Sequence, residues 1–163
     1  MNMQVKPISK DDKLRNILVQ YCESCPRTAW PLLAQKMNEN KFLNWERIFV
    51  AIEDDEIIWF CTFTKEDWIP NCDYSPFVWF MFVDEKYRWN RISEKMINKV
   101  KEYAKTLNFE KLYISSDHKW LYEKYWFEKC DEKIDELGQF LQKLIYHVFH
   151  DNHNLNLNNQ MNN

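Results

Sequence analysis

The run FVWFMFV (77–83), DEKYRWNR (84–91), ISEKMINKVKEYAKTL (92–107) decides the fold. Its first seven residues are apolar on both faces, the pattern of a central strand buried on both sides. Its last sixteen place Ile92, Met96, Ile97, Val100, Tyr103, Ala104 and Leu107 on one helical stripe, with lysines and glutamates opposite. The eight residues between them form a strand-to-helix turn. A helix that starts where a buried strand ends presents unpaired N–H groups and the positive end of its dipole. Such a turn takes an anion, phosphate above all, and Arg88 and Arg91 add positive charge beside it. The same features also describe a solvated turn carrying two arginines.

Upstream, Leu14, Ile17, Leu18 and Tyr21 have helical spacing, with Asp11 or Asp12 as cap, and a second helix is expected from about Thr28 to Asn38. RIFVAI (47–52) and EIIWFCTFT (56–64) are β-rich runs joined by Glu53-Asp54-Asp55, an antiparallel hairpin. Residues 65–76 form a loop. Downstream follow a strand at KLYIS (111–115), a short helix at 120–125, and candidate strands at 127–134 and 143–149. Hairpins beside a strand–helix–strand unit give an α/β (α+β) class with a mixed sheet.

Composition narrows the function. The 163 residues, 45% hydrophobic and 29% charged, suit one globular domain, expected over 1–150. The final stretch, 151–163, carries seven asparagines and no aromatic, and is expected to be a disordered tail. Net charge of -3 and a pI near 5.8 argue against nucleic acid as a partner. No run approaches a membrane span, and the first residues lack a secretory apolar core, so a cytoplasmic protein without a membrane partner is expected. The five cysteines read as reduced thiols. Cys22-x-x-Cys25 has no second pair at zinc spacing, so no metal is expected.

VDEKYR (83–88) with Arg91-Ile92-Ser93, followed by LYEKYWFE (121–128), resembles the GNAT superfamily of acetyl-CoA-dependent N-acetyltransferases. There the first segment ends Q/R-x-x-G-x-G/A and the second reads LYxxxGF. The resemblance covers roughly Lys10 to Val148. It implies a mixed, mostly antiparallel sheet of six to seven strands with about four helices, splayed between Phe77–Val83 and Lys111–Ser115. It places pantetheine along the backbone of Phe82 and Val83 and the pyrophosphate on the amides of Arg88, Trp89, Asn90, Arg91, Ile92 and Ser93. Tyr122 matches the tyrosine that protonates the departing thiolate, a role open to a phenol that stays protonated at working pH. His118 is a candidate contact to the cofactor, and equally a cap for the short helix. Acetyl-CoA is then the co-substrate, attacked directly by a small primary amine or a peptide amine, and the chain is a monomer or homodimer. Glu53, Asp67 and Asp73 are the acidic candidates for a base, each also readable as a solvated loop carboxylate. A non-catalytic acyl-CoA-binding module and a protein-interaction domain are the rival readings.

The chain departs from that pattern at its glycines. Arg91 and Ser93 stand where the turn has Gly and Gly/Ala, and the chain has a single Gly against eight Trp. Average usage of about 7% gives roughly 11 glycines at this length. Trp30, Trp59, Trp79, Trp89, Trp120 and Trp126 occupy places where the resemblance leads one to expect glycine. An AT-rich genome lowers Gly without raising Trp at those places; a lineage that reads UGA as glycine does both. The expected outcome of reading the six codons is UGA; UGG at most of them overturns this.

Overall fold

The computed structural model describes residues 3–25, 30–67, 72–83, 91–134 and 140–149, with the backbone alone at 80–83. The elements are β1 (Gln4–Ile8), α1 (Lys13–Ser24), α2 (Trp30–Asn38), β2 (Arg47–Glu53), β3 (Glu56–Thr64), β4 (Phe77–Val83), α3 (Ile92–Thr106), β5 (Lys111–Ser116), a 3-10 turn (Glu123–Tyr125), β6 (Glu128–Ile134) and β7 (Phe140–His147). The seven strands form one sheet in the order β1-β2-β3-β4-β5-β7-β6. Every neighbouring pair is antiparallel except β4 with β5.

Both faces are covered. On one, Ile92, Met96, Ile97, Val100 and Ala104 of α3 join a buried cluster with Val78, Leu112, Ile114 and Leu144. On the other, Leu18 and Cys22 of α1 and Leu33 and Met37 of α2 pack against Ile48, Val50 and Phe60. Helix α1 starts where Asp12 accepts a hydrogen bond from the Leu14 amide at 3.0 Å, satisfying one terminal donor. That bond is the first cause holding the Asp12 carboxyl below its ordinary value. Glu46, with a side chain 2% exposed, accepts from the amides of Leu43 (2.8 Å) and Lys65 (2.7 Å) and pairs with Lys36 at 3.3 Å. It ties the start of β2 to the end of β3 and to α2.

The expected mixed sheet, hairpin and long helix are present. The segment expected as a short helix at 120–125 is a single 3-10 turn, so three α-helices stand among the described residues. Strand β1 was not expected from the sequence. It is an edge strand containing Pro7, which an edge tolerates because one side of it needs no ladder donor. The tail at 151–163 and the entry to α2 lie outside the described residues.

Trp120 and Trp126 have φ of 67° and 69°, the left-handed region, and are 79% and 72% exposed. A side chain with a Cβ costs about 1–2 kcal/mol there, and glycine avoids that cost. The buried Trp59 Nε1 has no hydrogen-bond partner among the described residues. Trp79 is accommodated, donating to Thr64 Oγ1 at 2.5 Å, and Trp30 stacks edge-on against Phe60 with centroids 5.3 Å apart. Trp126→Gly and Trp120→Gly are each expected to stabilise the chain by about 1 kcal/mol, raising Tm by roughly 2–4 °C in thermal denaturation.

Candidate active site

Strands β4 and β5 are in register only at Phe77↔Tyr113 and Val78↔Ile114. Beyond that point each is held from its other side, β4 by β3 and β5 by six pairs with β7. The result is a cleft whose walls are backbone: residues 79–83 on one side, Ser115 and Ser116 on the other. Within it β4 is bulged. Phe60 pairs with Phe82 and Thr62 with Trp79, so residues 80 and 81 oppose Cys61 alone. A bulge leaves an extra residue outside the ladder and increases local twist, which suits a strand leaving its neighbour.

The expected site residues fall around this cleft unevenly. Phe82 and Val83 lie on the bulged half of β4. Arg88, Trp89 and Asn90 lie outside the described residues. Arg91 occupies the N-cap of α3 with φ 53° and no side-chain capping bond; its guanidinium points to solvent, 3.7 Å from Glu94. The helix-terminal amides of Ile92, Ser93 and Glu94 therefore receive no side-chain cap from Arg91. The Ile92 side chain is core. Ser93 Oγ meets Tyr125 Oη at 2.5 Å, joining the first turn of α3 to the LYEKYWF segment.

Tyr122 is 6% exposed and belongs to the cluster under α3. Burial first, then Cys61, Tyr125 and Asp117, hold its phenol well above the usual value of 10, against a hydrogen bond with the Ser116 side chain. It is therefore a protonated phenol at the end of β5. Its loop is fixed by the amides of Tyr125 and Phe127 bonding to Tyr122 O, and by Lys101 Nζ donating to Tyr125 O at 2.7 Å. His118 is exposed; its amide donates to Ser116 Oγ at 3.0 Å and its ring lies 3.8 Å from Asp117. It sits at the end of β5 and does not cap the 3-10 turn, whose N-cap is Tyr122.

Of the acidic candidates, Asp67 reaches the cleft: Ser115 Oγ, just past the last β4–β5 pair, donates to its carboxylate. Glu53 sits at the hairpin end of β2, and Asp73 is exposed in the loop before β4. Asp67 also lines a cavity of about 400 Å³ with Glu66, Trp79 and, from α2 and the turn after it, Leu33, Lys36 and Glu39. The bulge and the Asp67–Ser115 contact carry no sequence signal; both arise from chain segments brought together by the sheet.

A parallel splayed pair with a helix N-terminus beyond one strand and a buried phenol beyond the other defines a class of acyl-transfer folds. The family model of the acetyltransferase (GNAT) family matches residues 12–132, and the chain belongs to that family. None of the curated proteins matches. Among solved structures, a GNAT acetyltransferase from Elizabethkingia anophelis with acetyl-CoA bound is 16% identical, covering 90% of this chain and 98% of its own, with a TM-score of 0.63. An N-acetyltransferase from Staphylococcus aureus Mu50 is 20% identical over 91% and 99%, TM-score 0.64. The spermidine/spermine N-acetyltransferase of Vibrio cholerae is 15% identical over 90% and 95%, TM-score 0.65. At these identities the likeness is one of fold.

Burial makes a checkable demand. The thiols of Cys22, pushed up to about 12, and of Cys61, and the phenol of Tyr122, all resist ionising in the fold but ionise near 9 and 10 when unfolded. Folded-state values above unfolded ones mean stability complete below pH 9 and lost as pH rises further. Urea midpoints are expected to fall above pH 9, and Tyr122→Phe to flatten the part above pH 10.

Proposed function

We propose that this chain transfers an acetyl group from acetyl-CoA to a primary amine, with Tyr122 as general acid. The observation that carries the reading is the cleft: a bulged, half-unpaired β4 facing β5, with a buried protonated phenol at the β5 end. Free backbone groups of Phe82 and Val83 suit an extended amide-bearing arm, and the α3 terminus suits a pyrophosphate. Arg88 to Ser93 hold that pyrophosphate, the cation of Arg88 compensating for the glycines the turn lacks. His118, at the exposed mouth, contacts the cofactor.

The reaction needs a neutral amine beside the thioester carbonyl. As the C–N bond forms and the C–S bond breaks, Tyr122 gives its proton to the sulfur. A backbone amide of the bulged segment bonds the carbonyl oxygen as charge develops. Positioning supplies much of the rate. Asp67 takes the proton the amine loses, its carboxylate fixed by Ser115. Glu39, Glu66 and Asp67 line the neighbouring cavity with Lys36 and Lys41, Glu39 pairing with Lys41 at 2.6 Å, so one negative charge in excess favours a cationic acceptor, the chemistry named for the Vibrio cholerae neighbour.

Purified protein, as written and with Gly at the six tryptophans, is titrated with acetyl-CoA, and CoA release is followed with a polyamine acceptor. Release is expected, with kcat down about 100-fold or more in Tyr122→Phe and acetyl-CoA affinity unchanged. Equal kcat in Tyr122→Phe removes its role. Binding without release from any amine tested replaces the enzyme by an acyl-CoA-binding module.

A further inference from the structure

Lys143 of β7 is 0% exposed, the only buried lysine among the described residues. It stands opposite Ser115 of β5, on the sheet face away from α3. Burying an ammonium costs several kcal/mol unless a partner compensates it. Its surroundings are unusual for that: the Tyr74 ring with its centroid 4.7 Å away, the Phe77 ring at 5.3 Å, and the thiol of Cys72 in direct contact with Nζ. Asp131 faces Lys143 in the β6–β7 register but turns elsewhere, accepting from the Tyr74 hydroxyl at 3.4 Å and the Glu132 amide at 2.8 Å. No carboxylate among the described residues pairs with Nζ. The aromatic faces favour the cation. Among the described residues, the atom in contact with it that can carry a compensating negative charge is Cys72 Sγ.

We propose that Cys72 and Lys143 form a thiolate–ammonium pair, and that Cys72 is a site of modification by hydroperoxides and small electrophiles. The arrangement meets both needs of a reactive cysteine, a fixed cation at the sulfur and access from solvent. Lys143 is wholly enclosed, whereas Cys72 is half-buried. Cys22 and Cys61, by contrast, are enclosed at 0% exposure with no cation beside them, and burial holds their thiols neutral. Cys25 is half-buried and Cys130 exposed; Cys130 Sγ donates to the Lys143 carbonyl at 3.5 Å, and burial outweighs the nearby Lys143 charge in holding its thiol up. With hydrogen peroxide the step is a two-electron transfer. The Cys72 sulfur attacks one oxygen, the S–O bond forms, the O–O bond breaks, and hydroxide leaves and is protonated to water. The sulfur is oxidised to a sulfenic acid and the peroxide reduced.

This proposal does not depend on acetyl transfer. The reduced full chain is treated at pH 7 with limiting iodoacetamide, and each cysteine peptide is quantified by mass spectrometry over time. Cys72 is expected to be alkylated at least tenfold faster than Cys25 or Cys130, and to be the residue tagged by a cyclic 1,3-dione after one equivalent of hydrogen peroxide. In Lys143→Met, which keeps the length and loses the charge, the Cys72 rate is expected to fall to that of Cys25. If Cys72 in the unaltered chain reacts no faster than Cys25, the pair is not a thiolate–ammonium pair and the proposal falls. That comparison holds whether or not the variant folds.

Discussion

Two residue pairs, Phe77↔Tyr113 and Val78↔Ile114, make up the whole β4–β5 register among the described residues, and the rest of the molecule is arranged around that shortage. Backbone donors and acceptors that leave a ladder need other partners. A sheet opened in its middle survives only if each half is anchored elsewhere. Here β4 keeps β3 and β5 keeps β7, while α3 lies on one face against β1, β2 and β3, and its Lys101 reaches the Tyr146 ring of β7, 3.6 Å from the centroid. The Ser93–Tyr125 contact then ties the start of that helix to the loop beyond β5. The cleft is held open from outside.

The parts of this arrangement that were legible in the sequence are those with a period. The two-faced apolar run at 77–83 and the stripe at 92–107 correspond to β4 and to α3, ending at Thr106. Where burial is one-sided or polar the period fails. β1 reads QVKPI, two polar residues and a proline among five, and β7 begins at Phe140 rather than at 143 because its first turns outward and its Gln142 and Lys143 are buried polar residues. A lysine with no exposure has no hydropathy signature. Tyr122 was legible by its motif, but its raised phenol depends first on burial and then on Cys61, which neighbours it only after β3 is in place. The Asp67–Ser115 contact spans 48 residues and is a property of the fold alone.

The two faces of the cleft differ in chemistry. Toward α3 the groups near it are neutral: the Cys61 thiol, the Tyr122 phenol, both resisting ionisation, and apolar side chains. Toward α2 they are charged: Asp67 on Ser115, and Lys143 opposite that same serine. A proton donor belongs on the first face, because a low-dielectric surround keeps a phenol protonated. Charged groups belong on the second, where a solvent-connected cavity of about 400 Å³ lies against Asp67. The division follows from strand alternation: Tyr113 and Ser115 point one way, Leu112, Ile114 and Ser116 the other.

Backbone strain follows the site as well. Of the seven non-glycine residues with positive φ among the described residues, four are Asn40, Asp54, Asp55 and Asn108, types whose short polar side chains tolerate that region. The other three are Arg91, Trp120 and Trp126. They stand at the start of α3, just past β5, and at the end of the turn that carries Tyr122. An unfavourable conformation persists only where its surroundings over-determine it, and here the determinants are identifiable: the capping bond from the Trp126 amide to Glu123 O, the first turn of α3, and the buried Tyr122 and Phe127 on either side. The backbone path around the cleft is thus imposed by the core and is indifferent to the side chain at these three positions. What those side chains change is the energy of the path.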